Sequence, residues 1–136
     1  MTGRICIIGG PRAGKTTYAM SLSADARHTD DLIGKLDWHQ ASEEISKWFD
    51  APEDWIIEGV AVPRALRKWL KAHEEDNEKP CDRIIVLDGS FLELTPGQER
   101  MAKGVQTVFD EISDELIRRG VTPVRLNCRP GAFFCA

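Results

Sequence analysis

Short apolar runs bounded by glycine or acidic residues recur along this chain, and such runs are typical of strands buried in a sheet. Three of them are clear: RICII at residues 4–8, DWIIEGV at 54–60 and DRIIVLDGS at 82–90. Two shorter ones lie within ARHTDDLI at 26–33 and GVTPVRLN at 120–127. The pattern therefore predicts five strands.

Segments with helical composition or periodicity lie between the predicted strands. They are residues 15–24, residues 41–49 (ASEEISKWF), residues 62–76 (VPRALRKWLKAHEED) and a long segment that follows residue 95. Strands that alternate with helices indicate a parallel sheet with helices on both faces. We therefore predict a three-layer α/β/α fold.

The longest predicted helix carries signals at both ends. Thr95 is placed to be its N-cap, with Pro96 at the first position and Gln98 completing a capping box, and Gly120 is expected to stop it. Apolar residues at helical spacing run along one face: Met101, Val105, Val108, Ile112 and Leu116. This stripe predicts the face that packs on the sheet.

Length and composition predict one soluble domain over residues 1–136, because chains of this length rarely divide into two cores. No apolar run approaches the roughly 20 residues that span a bilayer. The first strand begins too early for a signal peptide to precede it, so we expect a cytoplasmic protein without membrane contact. The four cysteines, Cys6, Cys81, Cys128 and Cys135, lack the spacing of a metal site or a disulfide framework, and we expect reduced thiols.

A glycine-rich segment follows the first predicted strand and precedes the first helix. Gly9, four further residues and then Gly14-Lys15-Thr16 match the phosphate-loop pattern G-x-x-x-x-G-K-[ST] in full. Backbone N–H groups of such a loop surround a β-phosphate, the lysine reaches the β and γ oxygens, and the threonine hydroxyl binds Mg²⁺. The residues predicted to bind the nucleotide are Gly9, Gly10, Pro11, Arg12, Ala13, Gly14, Lys15, Thr16 and Thr17.

The motif alone fits motors, GTPases and kinases, and the rest of the chain favours a kinase. The sequence has no N-K-x-D segment for guanine, and it is short for a motor domain. A kinase needs a base for the acceptor hydroxyl, an acid near the metal ion and cations around the transferred phosphoryl group. The remaining alternative is a nucleotide-dependent switch or binding protein.

Candidates for the base and for the metal-binding acid both follow predicted strands. Asp30 and Asp31 come after the second strand, at the edge where ligands bind in such sheets. Asp30 is preferred as the base, because Asp31 directly precedes LIGKL and is better placed to cap a helix starting near Leu32; the pair could also serve only as caps. Glu58 and Asp88 each end a strand, and we prefer Glu58 for Mg²⁺ because its strand is expected beside the phosphate-loop strand.

Positively charged residues suggest how an acceptor is held. Arg100 and Lys103 could close over the phosphates from the long helix, or be ordinary solvated charges. A second group shares one face of the helix predicted at 62–76: Arg64, Arg67, Lys68 and Lys71. This basic stripe either binds phosphates of the acceptor or is a solvated helix face. Trp38 and His39 could stack on a base, whereas we assign Trp48, Trp55 and Trp69 to the core.

Four segments taken together resemble the nucleotide and polynucleotide kinase branch of the P-loop proteins. They are GGPRAGKTT (9–17), HTDDLI (28–33), WIIEGVAVPRALRKWL (55–70) and LTPGQERMAKGV (94–105), and the resemblance that they carry extends over most of the chain. The resemblance implies a five-stranded parallel sheet of order 2-3-1-4-5, ATP with Mg²⁺ as cofactors, and a base at Asp30 or Asp31. It also implies a short lid that supplies an arginine.

The compact layout is further similar to phage-encoded kinases that phosphorylate 5-hydroxymethyluracil already incorporated in DNA. The chain departs from adenylate kinases, because EGVAVPR stands where they have D-G-F-P-R and no long lid domain is present. This departure argues against AMP as the acceptor. The sequence thus predicts phosphoryl transfer from ATP to a hydroxyl on DNA, or on a free nucleoside or nucleotide.

Overall fold

The computed structural model describes residues 3–11, 13–23, 25–33, 35–90 and 93–128. Residues 127 and 128 are described through their backbone only. Five strands and four α-helices alternate along the chain: β1 (Arg4–Gly9), α1 (Lys15–Leu22), β2 (Arg27–His28), α2 (Trp38–Trp48), β3 (Trp55–Glu58), α3 (Val62–Ala72), β4 (Arg83–Gly89), α4 (Pro96–Arg118) and β5 (Pro123–Cys128). One turn of 3₁₀ helix, Thr29–Asp31, follows β2.

The strands form one all-parallel sheet in the order β2-β3-β1-β4-β5. The predicted strand number and the order implied by the resemblance are both confirmed. β1 lies in the middle, with Ile7 paired to Glu58 of β3 on one side and Gly9 paired to Leu87 of β4 on the other. The loop that leaves β1 is therefore flanked by the carboxyl ends of two neighbouring strands.

Apolar side chains cover both faces of the sheet. Because successive residues of a strand point to opposite faces, Ile5 and Ile7 pack in the smaller cluster with α1, whereas Cys6 and Ile8 pack in the larger one with α2, α3 and α4. The predicted three-layer arrangement follows from this alternation.

Helix α4 has the predicted capping box. The Gln98 backbone N–H donates to Thr95 Oγ1 at 3.2 Å, and the Thr95 N–H donates to Gln98 Oε1 at 3.0 Å. Gly120, just after the helix, has a φ of 94°, a left-handed conformation that glycine adopts readily. The apolar stripe packs as predicted except at Met101, which is 41% exposed and lines a cleft beside Lys15 and Thr16 instead.

The predicted helix start near Leu32, with Asp31 as its cap, is wrong. Residues Thr29–Asp31 form only the 3₁₀ turn, and α2 begins at Trp38. Asp37 caps it, because Asp37 and Gln40 form a reciprocal capping box immediately before the apolar positions of the helix. This box also places Trp38 in the first helical turn.

Two expectations about the whole chain can be compared with the described residues. None of the described helices is both long and apolar enough to cross a membrane. Cys6 and Cys81 are buried free thiols, and burial together with the hydrogen bond between them raises the pKa of Cys6. The Cys128 side chain and Cys135 lie outside the described residues.

Candidate active site

The glycine-rich loop, residues 9–16, joins β1 to α1 at the carboxyl edge of the sheet. Gly14 precedes α1 with a φ of 83°, which favours glycine, and a Cβ on Gly9 would lie 3.1 Å from the Leu87 carbonyl oxygen. No described side chain caps α1, and its first turn carries no acidic residue. The N–H groups at this helix end are therefore available to an anion.

Lys15 is a buried cation at the base of the loop. It is 9% exposed, and its Nζ donates to the Gly10 carbonyl oxygen at 2.7 Å. Burial lowers the pKa of Lys15, and the negative charges of Glu58 and Asp30 oppose that shift. The ammonium group thus binds a backbone carbonyl of the loop itself. An anion bound within the loop would compete with this carbonyl for the ammonium group.

Glu58 lies beside the loop at the end of β3. Its side chain is completely buried, and its Oε2 accepts a hydrogen bond from Thr16 Oγ1 at 2.9 Å. Donation of this proton leaves the lone pairs of the Thr16 oxygen available to a cation, and Glu58 Oε1 has no partner within the described part of the chain. A hydroxyl and a carboxylate are oxygen ligands of the type that Mg²⁺ prefers, so the residues present fit this ion.

Asp88, the alternative acid, is engaged elsewhere. It is the next-to-last residue of β4, on the other side of β1, and both of its carboxylate oxygens accept from Arg125 Nη1, at 3.0 and 3.2 Å. The geometry thus brings Glu58, rather than Asp88, to Thr16.

A cleft of about 600 Å³, which we call the main cleft, opens over the loop. Its lining comprises Pro11, Gly14, Lys15, Thr16, Thr17, Asp30, Ile33, Trp38, Val60, Gln98 and Met101. Asp30 therefore faces the same space as Lys15 and Thr16. Asp31 is exposed in the 3₁₀ turn and is not among the described residues that line this cleft.

A second cleft of about 240 Å³, the side cleft, shares Trp38, Val60 and Met101 with the main cleft. Trp38 is 37% exposed, and the guanidinium carbon of Arg64 lies 4.6 Å from the centre of its ring. Arg100 from α4 also lines the side cleft, which is otherwise bounded mainly by apolar side chains. The two clefts together combine an aromatic ring with two arginines next to the loop.

The basic stripe of α3 (Arg64, Arg67, Lys68 and Lys71) is largely engaged by neighbouring helices. Arg67 Nη1 donates to Glu111 Oε2 of α4 at 3.0 Å, and Lys68 Nζ lies 3.0 Å from His39 Nδ1 of α2. Lys71 is exposed in a surface groove that also contains Arg67 and Glu111. The stripe therefore extends away from the main cleft rather than into it.

The remaining predicted residues occupy different places. Lys103 is exposed on α4 and lines neither cleft, and Arg12 lies outside the described residues. Trp55 and Trp69 are buried, and Trp48 packs against the larger apolar cluster. Gly10 and Ala13 belong to the loop, and the buried Ala13 side chain packs in the smaller apolar cluster.

Sequence reasoning missed two polar residues next to Glu58. His28 Nδ1 lies 3.7 Å from Glu58 Oε2, and the Thr29 side chain fills the space where a Cβ of Gly59 would be. Gly59 permits this close approach because it has no Cβ, and its φ of 146° is a second feature that favours glycine. The available signal was their position in the sequence, since Thr29 directly precedes Asp30 and His28 lies two residues before it.

No protein-family model matches this chain, and comparison with curated proteins finds no match either.

Proposed function

We propose that this protein is a P-loop kinase that transfers the γ-phosphoryl group of ATP to a hydroxyl of a nucleic-acid-type acceptor. The observation that carries the proposal is the joint placement of Lys15, Thr16 and Asp30 in the lining of one cleft, with Glu58 hydrogen-bonded to Thr16. Phosphoryl transfer requires a phosphate cradle, a metal-binding acid and a proton acceptor in one space.

The loop and Lys15 are the proposed holders of the nucleotide phosphates. Backbone N–H groups of the loop and of the first turn of α1 bind the β-phosphate, and Lys15 leaves the Gly10 carbonyl to bind β and γ oxygens. Thr16 would hold Mg²⁺ through its hydroxyl oxygen, and Glu58 would hold it through bound water. Mg²⁺ supplies charge neutralisation on the phosphate oxygens when it is bound.

Asp30 is the proposed base. The acceptor oxygen bonds to the γ-phosphorus while the bond from that phosphorus to the β–γ bridging oxygen breaks, and ADP leaves with the electron pair. Asp30 accepts the proton that the acceptor hydroxyl releases. Arg100, in the wall of the adjoining side cleft, offers a positive charge to the transferred group.

The side cleft is the proposed binding site for the acceptor's base. The Trp38 ring is 37% exposed and offers a stacking surface on the face that Arg64 does not cover, and Arg64 itself lines the same cleft. Because the cleft is small and enclosed by helices, a base within DNA has to leave its stack to enter it. The resemblance to phage kinases makes 5-hydroxymethyluracil in DNA our first choice of acceptor, and a cytoplasmic location fits a reaction that uses ATP.

A free nucleoside or nucleotide is the second candidate acceptor. It is favoured by the contacts of the basic stripe, since Arg67 pairs with Glu111 and Lys68 lies against His39. Side chains that are engaged within the protein are less available to a DNA backbone. A small acceptor would need only the two clefts.

The proposal is tested by incubating the protein with ATP labelled at the γ-phosphate and Mg²⁺. The acceptors compared are DNA containing 5-hydroxymethyluracil, matched unmodified DNA and free 5-hydroxymethyl-2′-deoxyuridine. Label in the modified DNA alone supports the first choice, and label in the nucleoside alone supports the second candidate. Hydrolysis of ATP with no labelled acceptor in any reaction contradicts the kinase proposal and favours a nucleotide switch.

A further inference from the structure

Buried polar atoms that have no partner within the described part of the chain lie together at the ends of β2 and β3. Among the described residues, His28 Nδ1, Thr29 Oγ1 and Glu58 Oε1 are buried and accept or donate no hydrogen bond. Native proteins satisfy nearly all such atoms, so a group of them at one place calls for a functional explanation.

The sheet register sets the position of His28 relative to Glu58. The two residues are paired across the parallel strands β2 and β3, which directs their side chains to the same face of the sheet. His28 Nδ1 stands 3.7 Å from Glu58 Oε2, slightly beyond hydrogen-bonding distance. Nδ1 has to move only about 0.5–1 Å towards Oε2 to form a hydrogen bond.

Contacts on the Glu58 carboxylate leave room for this additional donor. Oε2 already accepts from Thr16 Oγ1 at 2.9 Å, and a carboxylate oxygen can accept two hydrogen bonds. A single donor on Oε2 does not fix the rotation of the carboxylate about the Cγ–Cδ bond of Glu58. Two donors on Oε2 would fix its plane and leave Oε1 available to the metal site.

We propose that His28 is a positioning residue, whose Nδ1–H donates to Glu58 Oε2 and holds this carboxylate in the orientation that binds Mg²⁺. The inference rests on the proposed function, because His28 would support the Mg²⁺ site that is proposed at Thr16 and Glu58. His28 touches neither nucleotide nor acceptor in this account. Removing such a supporting donor typically weakens metal binding by about 10- to 100-fold.

The test uses His28→Leu and His28→Asn, two side chains of nearly the same shape. Asparagine places an amide N–H close to the position of Nδ1, whereas leucine has no donor. Because the His28 side chain is 25% exposed, we expect both variants to fold, and thermal denaturation checks this. Arg27→Ala is the matched control, since it alters the other residue of the same two-residue strand.

The measurement is the affinity of the protein–ADP complex for Mn²⁺, read from the electron paramagnetic resonance signal of free Mn²⁺. We expect His28→Leu to weaken this affinity by at least ~10-fold. His28→Asn and Arg27→Ala should bind Mn²⁺ nearly as wild type does, and ADP affinity without metal should be unchanged in all three. The Mg²⁺ concentration that gives half-maximal transfer should rise in His28→Leu alone.

The measurement distinguishes failure of the His28 proposal from failure of the kinase proposal. Wild-type Mn²⁺ affinity in His28→Leu, or equal losses in His28→Leu and His28→Asn, would overturn the role of His28 and leave the kinase proposal standing. Absence of ADP-dependent Mn²⁺ binding in the wild-type protein would overturn both.

Discussion

Lys15 combines a cost in folding stability with a proposed role in phosphate binding. Its ammonium group is buried against the Gly10 carbonyl, and burial is the largest cause of its lowered pKa. A lysine whose pKa is lower in the folded state than in the unfolded chain destabilises the fold. This loss of folding stability is fully present at pH values below the lowered pKa of Lys15. It disappears as the pH rises from there to the pKa of lysine in the unfolded chain.

The first prediction concerns Lys15→Met, which keeps the length of the side chain and removes its charge. We expect phosphoryl transfer to be lost, while the melting temperature at neutral pH is equal to or higher than that of the wild type. The difference in melting temperature should shrink as pH rises through the lowered pKa of Lys15. Transfer assays and thermal denaturation across pH check this, and near-wild-type turnover would contradict the role of Lys15.

The second prediction separates the two neighbouring acids. Asp30 lines the main cleft and Asp31 does not, so only Asp30→Asn should remove the proton acceptor. We expect Asp30→Asn to lower kcat by ~10²- to 10⁴-fold with ATP affinity unchanged. Asp31→Asn is the matched control, and it should keep both activity and melting temperature because Asp31 does not cap α2. Equal activity of the two variants would refute the assignment of Asp30.

Individual residues of the site differ in how well the sequence predicts them. The loop motif marks Lys15 and Thr16 directly, because its glycines are needed wherever a backbone approaches phosphate closely. His28 lies in a strand of only two residues, too short for any periodicity to reveal which face it occupies. Its proximity to Glu58 arises from sheet register, which no local pattern encodes.

At the scale of elements, α4 is held tightly against the loop. A Cβ on Gly10 would lie 2.8 Å from the Ala102 Cβ and 3.1 Å from its Cα, which is closer than packed atoms tolerate. Any side chain at Gly10 must therefore displace either the loop or the start of α4. The first turns of α4 also supply Gln98, Met101 and Arg100 to the two clefts.

The third prediction follows from this contact. Gly10→Ala should weaken ATP binding and lower the melting temperature, because the loop and α4 have to separate. Adding Ala102→Gly removes the nearer of the two clashing atoms and should restore part of the ATP affinity, although glycine within a helix itself costs about 1 kcal/mol of stability. Calorimetric titration of ATP checks this, and identical affinity in the single and double variants would contradict the packing argument.

The basic stripe of α3 gives the fourth prediction. Lys71→Glu reverses an exposed charge without substituting either partner of the Arg67–Glu111 ion pair. If DNA is the acceptor, this variant should raise KM for DNA and reduce the slope of its salt dependence by about 1, with KM for ATP unchanged. Lys47→Glu, on the exposed end of α2, is the control. An unchanged salt slope would mean that the stripe is solvated surface and would favour the small acceptor.

Element boundaries show where sequence patterns compete. The periodic segment 41–49 predicts α2, but Asp37 and Gln40 start it three residues earlier through their capping box. Likewise, α3 ends at Ala72 rather than continuing to Asp76, because His73 Nδ1 and the Asp76 carboxylate close a turn at 2.9 Å. Hydrophobic periodicity locates a helix, whereas local side-chain hydrogen bonds determine its ends.

At the scale of the molecule, the alternation of strands and helices was enough to predict the architecture. Parallel strands joined by helices leave few allowed topologies, and buried strands with apolar residues on both faces require helices on both sides. The clefts were not predictable in the same way. They depend on how α2, α3 and α4 pack around Trp38 and Met101, which are separated by more than half of the described chain.

We propose that the γ-phosphoryl group of ATP passes to a hydroxyl group in the main cleft. The most direct measurement is the stoichiometry of the reaction, with ADP quantified by chromatography and the acceptor analysed by mass spectrometry in the same sample. We expect the acceptor to gain one phosphoryl group for each ADP formed, and we expect both products to be lost together in Asp30→Asn. ADP formed without any gain of phosphoryl by the acceptor would contradict it.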